Sequence, residues 1–222
     1  MIYLFAKLIL APLARVVYRP KVTGRENIPR HGPFIIASNH LAFADSAVIP
    51  FVCPRRVVFL AKDDYFHGPG VRGLLVKWWF TATGMVPVDR DDTRSAQASL
   101  DRALEILATG EGFGIYPEGT RSRDGRLYRG RTGVAWLAMK SGAPIVPVAL
   151  AGTEHIQPGD TRVPRIRKVS VRFGEPIVMG SRFEGVPTGR ARRQLTDEVM
   201  SAIHAMSGQE LAGQYNSHPT DP

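Results

Sequence analysis

Short unbroken apolar runs alternate along this chain with stretches in which apolar residues recur three and four positions apart. The runs are FIIAS (34–38), RVVFLA (56–61), MVPV (85–88), FGIY (113–116), PIVPVAL (144–150) and VSVRF (169–173), and each reads as a buried strand. Helical patterns fill the intervals. Leu100, Ala103, Leu104 and Leu107 share one helical face, with Asp91 and Asp92 at its start, where the helix dipole favours acids, and Gly110 just past its end. That pattern predicts a helix over 92–109. Val134, Leu137 and Ala138 predict a shorter helix closed by Gly142, and Leu195, Val199, Ala202, Ile203 and Met206 predict the last one. Strands alternating with helices imply an α/β layer fold, in which the loops at strand ends are the first place to look for chemistry.

The two ends differ from this body. MIYLFAKLILAPLARVVYRP, at the start, is apolar but broken by Lys7, Pro12, Arg15 and Arg19, short of the ~20 uninterrupted apolar residues that span hydrocarbon. Lys7 inside the apolar stretch, with no small-residue cleavage pattern after it, also argues against a signal peptide. Tyr3 and Phe5 beside Lys7, with Arg15 able to snorkel, fit a helix lying in a membrane interface; a terminal helix packed on the core is the alternative. Residues 1–23 are therefore expected to be an amphipathic membrane-associating segment, and 207–222 a polar tail that frays. Inside the body, VRGLLVKWWFTATG (71–84) is the most lipid-like stretch: Val71, Leu74, Leu75, Trp78 and Trp79 follow helical spacing. Trp78 and Trp79 suit the headgroup zone, and core burial fits them equally well.

Composition narrows the class. A chain of 222 residues, 44% apolar and 22% charged, supports one domain with a sizeable core and excludes a disordered polymer. Cys53 is the only cysteine, so neither an intrachain disulfide nor a cysteine metal cage can form, a reducing compartment is implied, and the thiol reads as a small core residue. His31, His67, His155, His204 and His218 lack metal-ligand spacing with a partner. Twenty-nine Lys and Arg against 20 Asp and Glu give a net charge of +9, which points to a polyanion: nucleic acid, an anionic membrane or a phosphorylated substrate.

Two strand ends carry candidate chemistry. FIIAS runs directly into NHLAFADS, which places Asn39, His40 and Asp45 in a strand-to-helix connection. A carboxylate that accepts one ring N–H of a histidine fixes its tautomer and leaves the other nitrogen to take a proton, the arrangement of a general base. Five residues of regular helix rotate the second side chain about 140° from the first, so the pair meets only across a turn. The plainer alternative is a loop histidine beside Asp45 as a helix cap. FGIY ends in PEGTRSRDGRLYRGR, where Glu118, Gly119, Thr120 and Arg121 precede Arg123, Arg126, Arg129 and Arg131. A close backbone turn, a hydroxyl and a guanidinium fork suit a phosphate; a solvated basic loop is the alternative. GMVPVDR ends a third strand in Asp89 and Arg90.

In this order and spacing the segments resemble the glycerolipid acyltransferase family typified by 1-acylglycerol-3-phosphate (lysophosphatidic acid) acyltransferases. NHLAFAD fits the family's N-H-x4-D block, GMVPVDR the block ending in arginine, YPEGTRS the F-P-E-G-T-R-S block and APIVPVAL the block around Pro147. Ala42 stands where many members have Ser, Tyr116 replaces the usual Phe, and Pro87 interrupts a block that is often all apolar. The resemblance implies a single acyltransferase domain over 24–206, with a central mostly parallel or mixed sheet flanked by helices and an N-terminal membrane-interface helix. It implies transfer of a fatty acyl group from a thioester of coenzyme A or acyl carrier protein to a hydroxyl of an acylglycerol phosphate, without metal or redox cofactor. His40 would be the general base and Asp45 its orienting partner. Thr120 and Arg121, beside Gly119, would bind the acceptor phosphate with Arg90 as a second donor, and Glu118 would orient that phosphate or the arginine. The expected setting is peripheral or monotopic, on the cytoplasmic face of a membrane with anionic lipids. Another lysophospholipid or lipid hydroxyl is an alternative acceptor. A nucleic-acid binder would want aromatics between its basic residues, and only Tyr128 interleaves them here; a non-catalytic membrane protein would not need His40 and Asp45.

Overall fold

The computed structural model describes residue 8 and residues 11–88, 93–156 and 165–217. Arg90 with its acidic neighbours, and Tyr3, Phe5 and Lys7, lie outside the described residues. Among those described, α1 (Ala11–Tyr18) leads into β1 (Lys21–Thr23), β2 (Phe34–Ser38), α2 (Asp45–Val52), β3 (Val57–Val58) and β4 (Leu60–Lys62). Then come α3 (Gly70–Ala82), β5 (Val86–Val88), α4 (Thr93–Ala108), β6 (Gly112–Ile115), α5 (Gly133–Ser141), β7 (Ile145–Ala151), β8 (Ser170–Phe173) and α6 (Thr188–Ser207). Six strands form the main sheet in the order β1-β8-β7-β2-β6-β3. The β7–β8 pairing is antiparallel and the other pairings are parallel. The sheet is therefore mixed and mostly parallel, as expected.

Why β2 sits in the middle follows from its sequence. All five residues of FIIAS are buried, so neither face can be left to water. Phe34 and Ile36 join one apolar cluster with Ile49, Phe59 and Phe80, while Ile35 and Ala37, one residue out of phase, join another with Leu107, Leu137 and Leu195. Period-two alternation thus feeds two cores, one on each side of the sheet. The predicted helices are present: α4 covers Thr93–Ala108, α5 ends at Gly142 in the left-handed conformation, and α6 carries Leu195, Val199 and Ile203 into the core.

Two expectations need correction. RVVFLA is not one strand: Val57 and Val58 pair in the main sheet, whereas Leu60 to Lys62 pair with β5 in a separate two-stranded sheet. The chain changes sheet at Phe59, whose carbonyl accepts the Val86 N–H, and a run buried on both faces carries no sign of such a break. The polar segment expected to be a loose tail is hydrogen-bonded to the body over 208–217. Leu127 N–H donates to the Glu210 carbonyl, Ala212 N–H to the Leu127 carbonyl and Arg129 N–H to the Gln214 carbonyl. These bonds are made by backbone, which hydropathy does not report.

Two glycines in β6 make room for rings: Gly112 for Phe34 of β2, and Gly114 for Phe59, between β3 and β4. A Cβ on Gly114 would stand 2.2 to 2.4 Å from three atoms of the Phe59 ring, and Phe59 is only 2% exposed. Gly114→Ala is expected to lower stability by about 1–3 kcal/mol through overpacking, read as a lower urea midpoint. An unchanged midpoint would mean that Phe59 has space to retreat.

Candidate active site

Strand register assembles the site. Ala37 of β2 is paired with Ile115 of β6, so His40 and Glu118, each three residues further on, leave the sheet side by side. Ala37 is also paired with Pro147 of β7. Just beyond that pairing the fully buried Asn39 side chain takes over from the backbone, accepting the Leu150 N–H at 2.8 Å and donating to the Leu150 carbonyl at 2.9 Å. His40 is thereby held at the C-terminal edge of parallel strands, where α/β folds collect their chemistry.

Residues 41–44 are not helical, and α2 begins at Asp45. The turn that the five-residue spacing demands is present. Asp45 Oδ2 lies 2.9 Å from His40 Nδ1 and also accepts the backbone N–H groups of Leu41 at 2.7 Å and Ala42 at 2.8 Å. This carboxylate reaches back over its own loop, so it is not the N-cap of the helix that follows; Ala44 holds that position. Its second oxygen, Oδ1, is buried with no hydrogen bond among the described residues. A carboxylate on Nδ1 assigns the ring proton there, which leaves Nε2 with a free lone pair able to accept a proton. The His40 side chain keeps 16% of its surface exposed while Asp45 has none.

The imidazole plane is fixed by Tyr116. The two rings stack with centroids 3.8 Å apart and planes within 8°. Tyr116 in turn stacks on Phe59 at 5.2 Å, and its hydroxyl shares a 2.8 Å hydrogen bond with Ser46 Oγ of α2. Burial, reinforced by the Asp45 carboxylate, raises this phenol well above its ordinary range, so the hydroxyl stays neutral. The Tyr116 hydroxyl, which a Phe would lack, thus adds a polar anchor to the stack.

Glu118 reaches main-chain groups on two loops. It is fully buried, and its two oxygens accept backbone N–H groups from different loops, His40 at 3.0 Å and Tyr128 at 2.9 Å. With no exposed surface it ties the loops together. Burial pushes its carboxyl up from 4.5 to about 7, although the Tyr128 and His40 N–H bonds pull the other way. The same loop returns to the base, because Ser122 N–H donates to the His40 carbonyl at 2.8 Å. Beyond it Asp124 organises a turn by accepting Ser122 Oγ, the Arg126 backbone and side chain, and the Tyr128 hydroxyl. Desolvation raises the Asp124 carboxyl, but the Arg126, Tyr128 and Ser122 bonds outweigh it and hold the group well below the usual carboxylate range.

Gly119 takes φ +83°, and a Cβ there would meet the Arg131 side chain at 2.9 Å, so the turn needs glycine twice over. Thr120 is half-buried and Arg121 exposed. No hydrogen bond or ion pair engages the Arg121 guanidinium among the described residues, whereas Arg126 is paired with Asp124 at 2.7 Å. The structure thus brings His40, Asp45, Gly119, Thr120 and Arg121 to one edge of the sheet. Of the membrane candidates, Trp78 is half-buried in α3, and Arg15 of α1 donates to the Phe51 carbonyl at 2.8 Å. His155 is exposed in the turn after β7. Sequence reasoning placed Asn39 beside His40 without giving it a role, and it missed Ser46 and the chain beyond α6. The last two left no signal in the sequence.

The family model described as Acyltransferase matches residues 19–151. A chloroplastic 1-acyl-sn-glycerol-3-phosphate acyltransferase of Arabidopsis thaliana is 33% identical over 184 residues, covering 82% of this chain and 49% of the relative. A 1-acyl-sn-glycerol-3-phosphate acyltransferase of Borreliella burgdorferi is 37% identical over 136 residues, 60% of this chain and 52% of the relative. The chain spans about half the length of these relatives. Among solved structures, the 1-acyl-sn-glycerophosphate acyltransferase of Thermotoga maritima superposes with a TM-score of 0.63 at 26% identity, covering 90% of this chain and 81% of that one.

The raised Glu118 carboxyl gives a pH dependence. Between pH 4.5 and about 7 the unfolded chain has lost this proton and the folded chain keeps it, so stability falls as pH rises across that window and levels off above it. A shift of this size corresponds to about 3 kcal/mol. Urea unfolding from pH 4.5 to 8 is expected to show this loss in the wild type and a flatter profile in Glu118→Gln; parallel profiles would place the titration elsewhere.

Proposed function

The chain belongs to the acyltransferase family, and from that premise we propose that it forms phosphatidic acid by acylating the free hydroxyl of a 1-acylglycerol 3-phosphate. The observation that carries this reading is the pairing of an accessible histidine, oriented by a buried carboxylate, with an unengaged arginine at the adjoining strand end. His40 Nε2 takes the proton of the acceptor hydroxyl as its oxygen attacks the thioester carbonyl carbon. The tetrahedral intermediate collapses, the C–S bond breaks, and the departing thiolate takes that proton from His40. Asp45 holds Nδ1–H throughout and stabilises the imidazolium that forms between the two transfers.

The reaction balances with the thioester of coenzyme A or acyl carrier protein as sole co-substrate, and it needs no acyl-enzyme. Cys53, which has no exposed surface, offers no reachable thiolate. Arg121 presents its fork to the acceptor phosphate with the Thr120 hydroxyl beside it; Arg90 is proposed as a second phosphate ligand.

The acyl chains come from a membrane surface. Val71 and Leu74 of α3 are 75% and 66% exposed, as are Leu13 and Val16 of α1 at 59% and 68%. Phe43, between the base and its carboxylate, meets Phe80 of α3 edge-on at 5.5 Å, so the lipid-facing helix adjoins the catalytic loop. No helix among the described residues is long and apolar enough to cross a membrane; peripheral or monotopic contact with anionic lipids, on a cytoplasmic face, fits the net charge of +9.

Three outcomes are expected. His40→Ala lowers kcat with labelled acyl-CoA and lysophosphatidate at least ~100-fold while circular dichroism is unchanged, and Asp45→Asn is nearly as damaging; retention of a tenth of wild-type turnover in His40→Ala refutes the base assignment. Arg121→Ala raises the acceptor KM at least ~10-fold and leaves the donor KM alone, with Arg121→Lys intermediate because it keeps charge but loses the fork. A raised donor KM with an unchanged acceptor KM would move Arg121 to a coenzyme phosphate. Leu13→Glu with Val16→Glu reduces cosedimentation with anionic liposomes; equal sedimentation would remove α1 as an anchor.

A further inference from the structure

The loop that carries Arg121 runs from the end of β6 to α5 and contains no strand or helix. Its backbone groups find partners in the chain beyond α6. Leu127 and Arg129 donate to the carbonyls of Glu210 and Gln214, and the Leu127 carbonyl accepts Ala212 N–H, a short parallel pairing. At one end of this strap, Gln209 Nε2 donates to the Gly125 carbonyl at 2.7 Å while its Oε1 accepts from Asn39 Nδ2, also at 2.7 Å. Asn39 is the residue before the base. At the other end, Asn216 Nδ2 donates to the Arg121 carbonyl at 3.1 Å, and the Asn216 carbonyl accepts from Arg131. Tyr215 fills the interval, its ring under the Arg129 and Arg131 guanidinium groups at 5.1 and 5.9 Å and its hydroxyl bonded to Arg193 of α6.

We propose that residues 209–216 are a positioning element of the acceptor-phosphate site, with Asn216 and Gln209 as its positioning residues: the strap fixes the Arg121 backbone at a set distance from His40. The inference rests on the assignment of Arg121 to the acceptor phosphate. Its physical basis is preorganisation. A long, exposed arginine on a loop without regular structure must be ordered when phosphate binds, and that ordering weakens binding. Holding the Arg121 carbonyl from Asn216, and the far side of the loop from Gln209, orders the backbone before substrate arrives. Because Gln209 grips Asn39 and Gly125 together, the phosphate loop and the base-bearing strand end are held by one side chain.

The test is a double-mutant cycle in the full chain, with steady-state kinetics varying lysophosphatidate and acyl-CoA in turn. Asn216→Ala removes only the bond to the Arg121 carbonyl, since its own carbonyl is main chain. It is expected to raise the acceptor KM about 5-fold or more, with donor KM and thermal midpoint unchanged, and to add nothing when Arg121 is already Ala. Gln209→Ala, which frees the other anchor, is the second variant and shifts the acceptor KM in the same direction. Arg121→Ala with an unchanged acceptor KM overturns the phosphate assignment itself. Arg121→Ala raising that KM while neither strap variant does so overturns the strap, as does an effect of Asn216→Ala that persists undiminished in the Arg121→Ala background.

Discussion

Glu118 commits both carboxylate oxygens to backbone N–H groups on two different loops, His40 on one side and Tyr128 on the other, and it has no exposed surface. That bridge ties the strand end bearing His40 to the loop bearing Arg121. Removing the side chain would leave two buried donors without acceptors, each costing about 1–3 kcal/mol, and would uncouple the base from the arginine loop. Ionising the carboxylate in a buried setting is itself costly, which is why its titration rises to about 7. The site therefore retains a locally unfavourable group whose value is geometric: the β2–β6 register brings the two strand ends together, and Glu118 converts adjacency into a fixed separation.

His40 needs a second constraint, because a carboxylate on Nδ1 fixes one edge of the imidazole and not its tilt. That constraint comes from a column of rings. Gly114 leaves space for Phe59, Phe59 supports Tyr116, and Tyr116 lies flat against His40. Each step depends on the one beneath, and the lowest depends on the absence of a side chain in β6. The hydrogen bond from Tyr116 to Ser46 closes the column onto α2, the helix whose first residue is Asp45. The face and the edge of the imidazole are thus anchored to the same helix, so a displacement of α2 would carry both restraints with it.

Much of this was legible in the sequence for identifiable reasons. Buried parallel strands leave continuous apolar runs, so β2, β6 and β7 stand out. His40, Asp45 and Arg121 stand out because charged and titratable residues directly after such runs have few purely structural uses. The roles that were not legible are those carried by backbone groups. Glu118 reads from sequence as one more acid beside arginines, and only the register shows that its partners are main-chain donors. RVVFLA reads as one strand because a change of sheet alters the partner and not the burial. The chain beyond α6 reads as a tail because Gln209, Tyr215 and Asn216 hold it by polar contacts and ring faces, which leave no hydrophobic period.

The placement of charge separates two effects that composition merges. A surplus of nine positive charges produces a field that draws any polyanion to the surface and is screened within about 10 Å at 0.1 M salt. Selectivity needs a cation whose position does not relax. Several arginines here are already engaged: Arg126 with Asp124, Arg182 with Glu198, Arg193 with Asp197 and Arg56 with Glu111. Arg121 differs in keeping its guanidinium unengaged among the described residues while its carbonyl is bonded to Asn216 and its neighbour Ser122 is bonded to the His40 carbonyl. The backbone is spoken for and the fork is left open. A general field draws anions of every kind, whereas a backbone tied both to Asn216 and to the His40 carbonyl gives this one guanidinium a root that stays put beside His40.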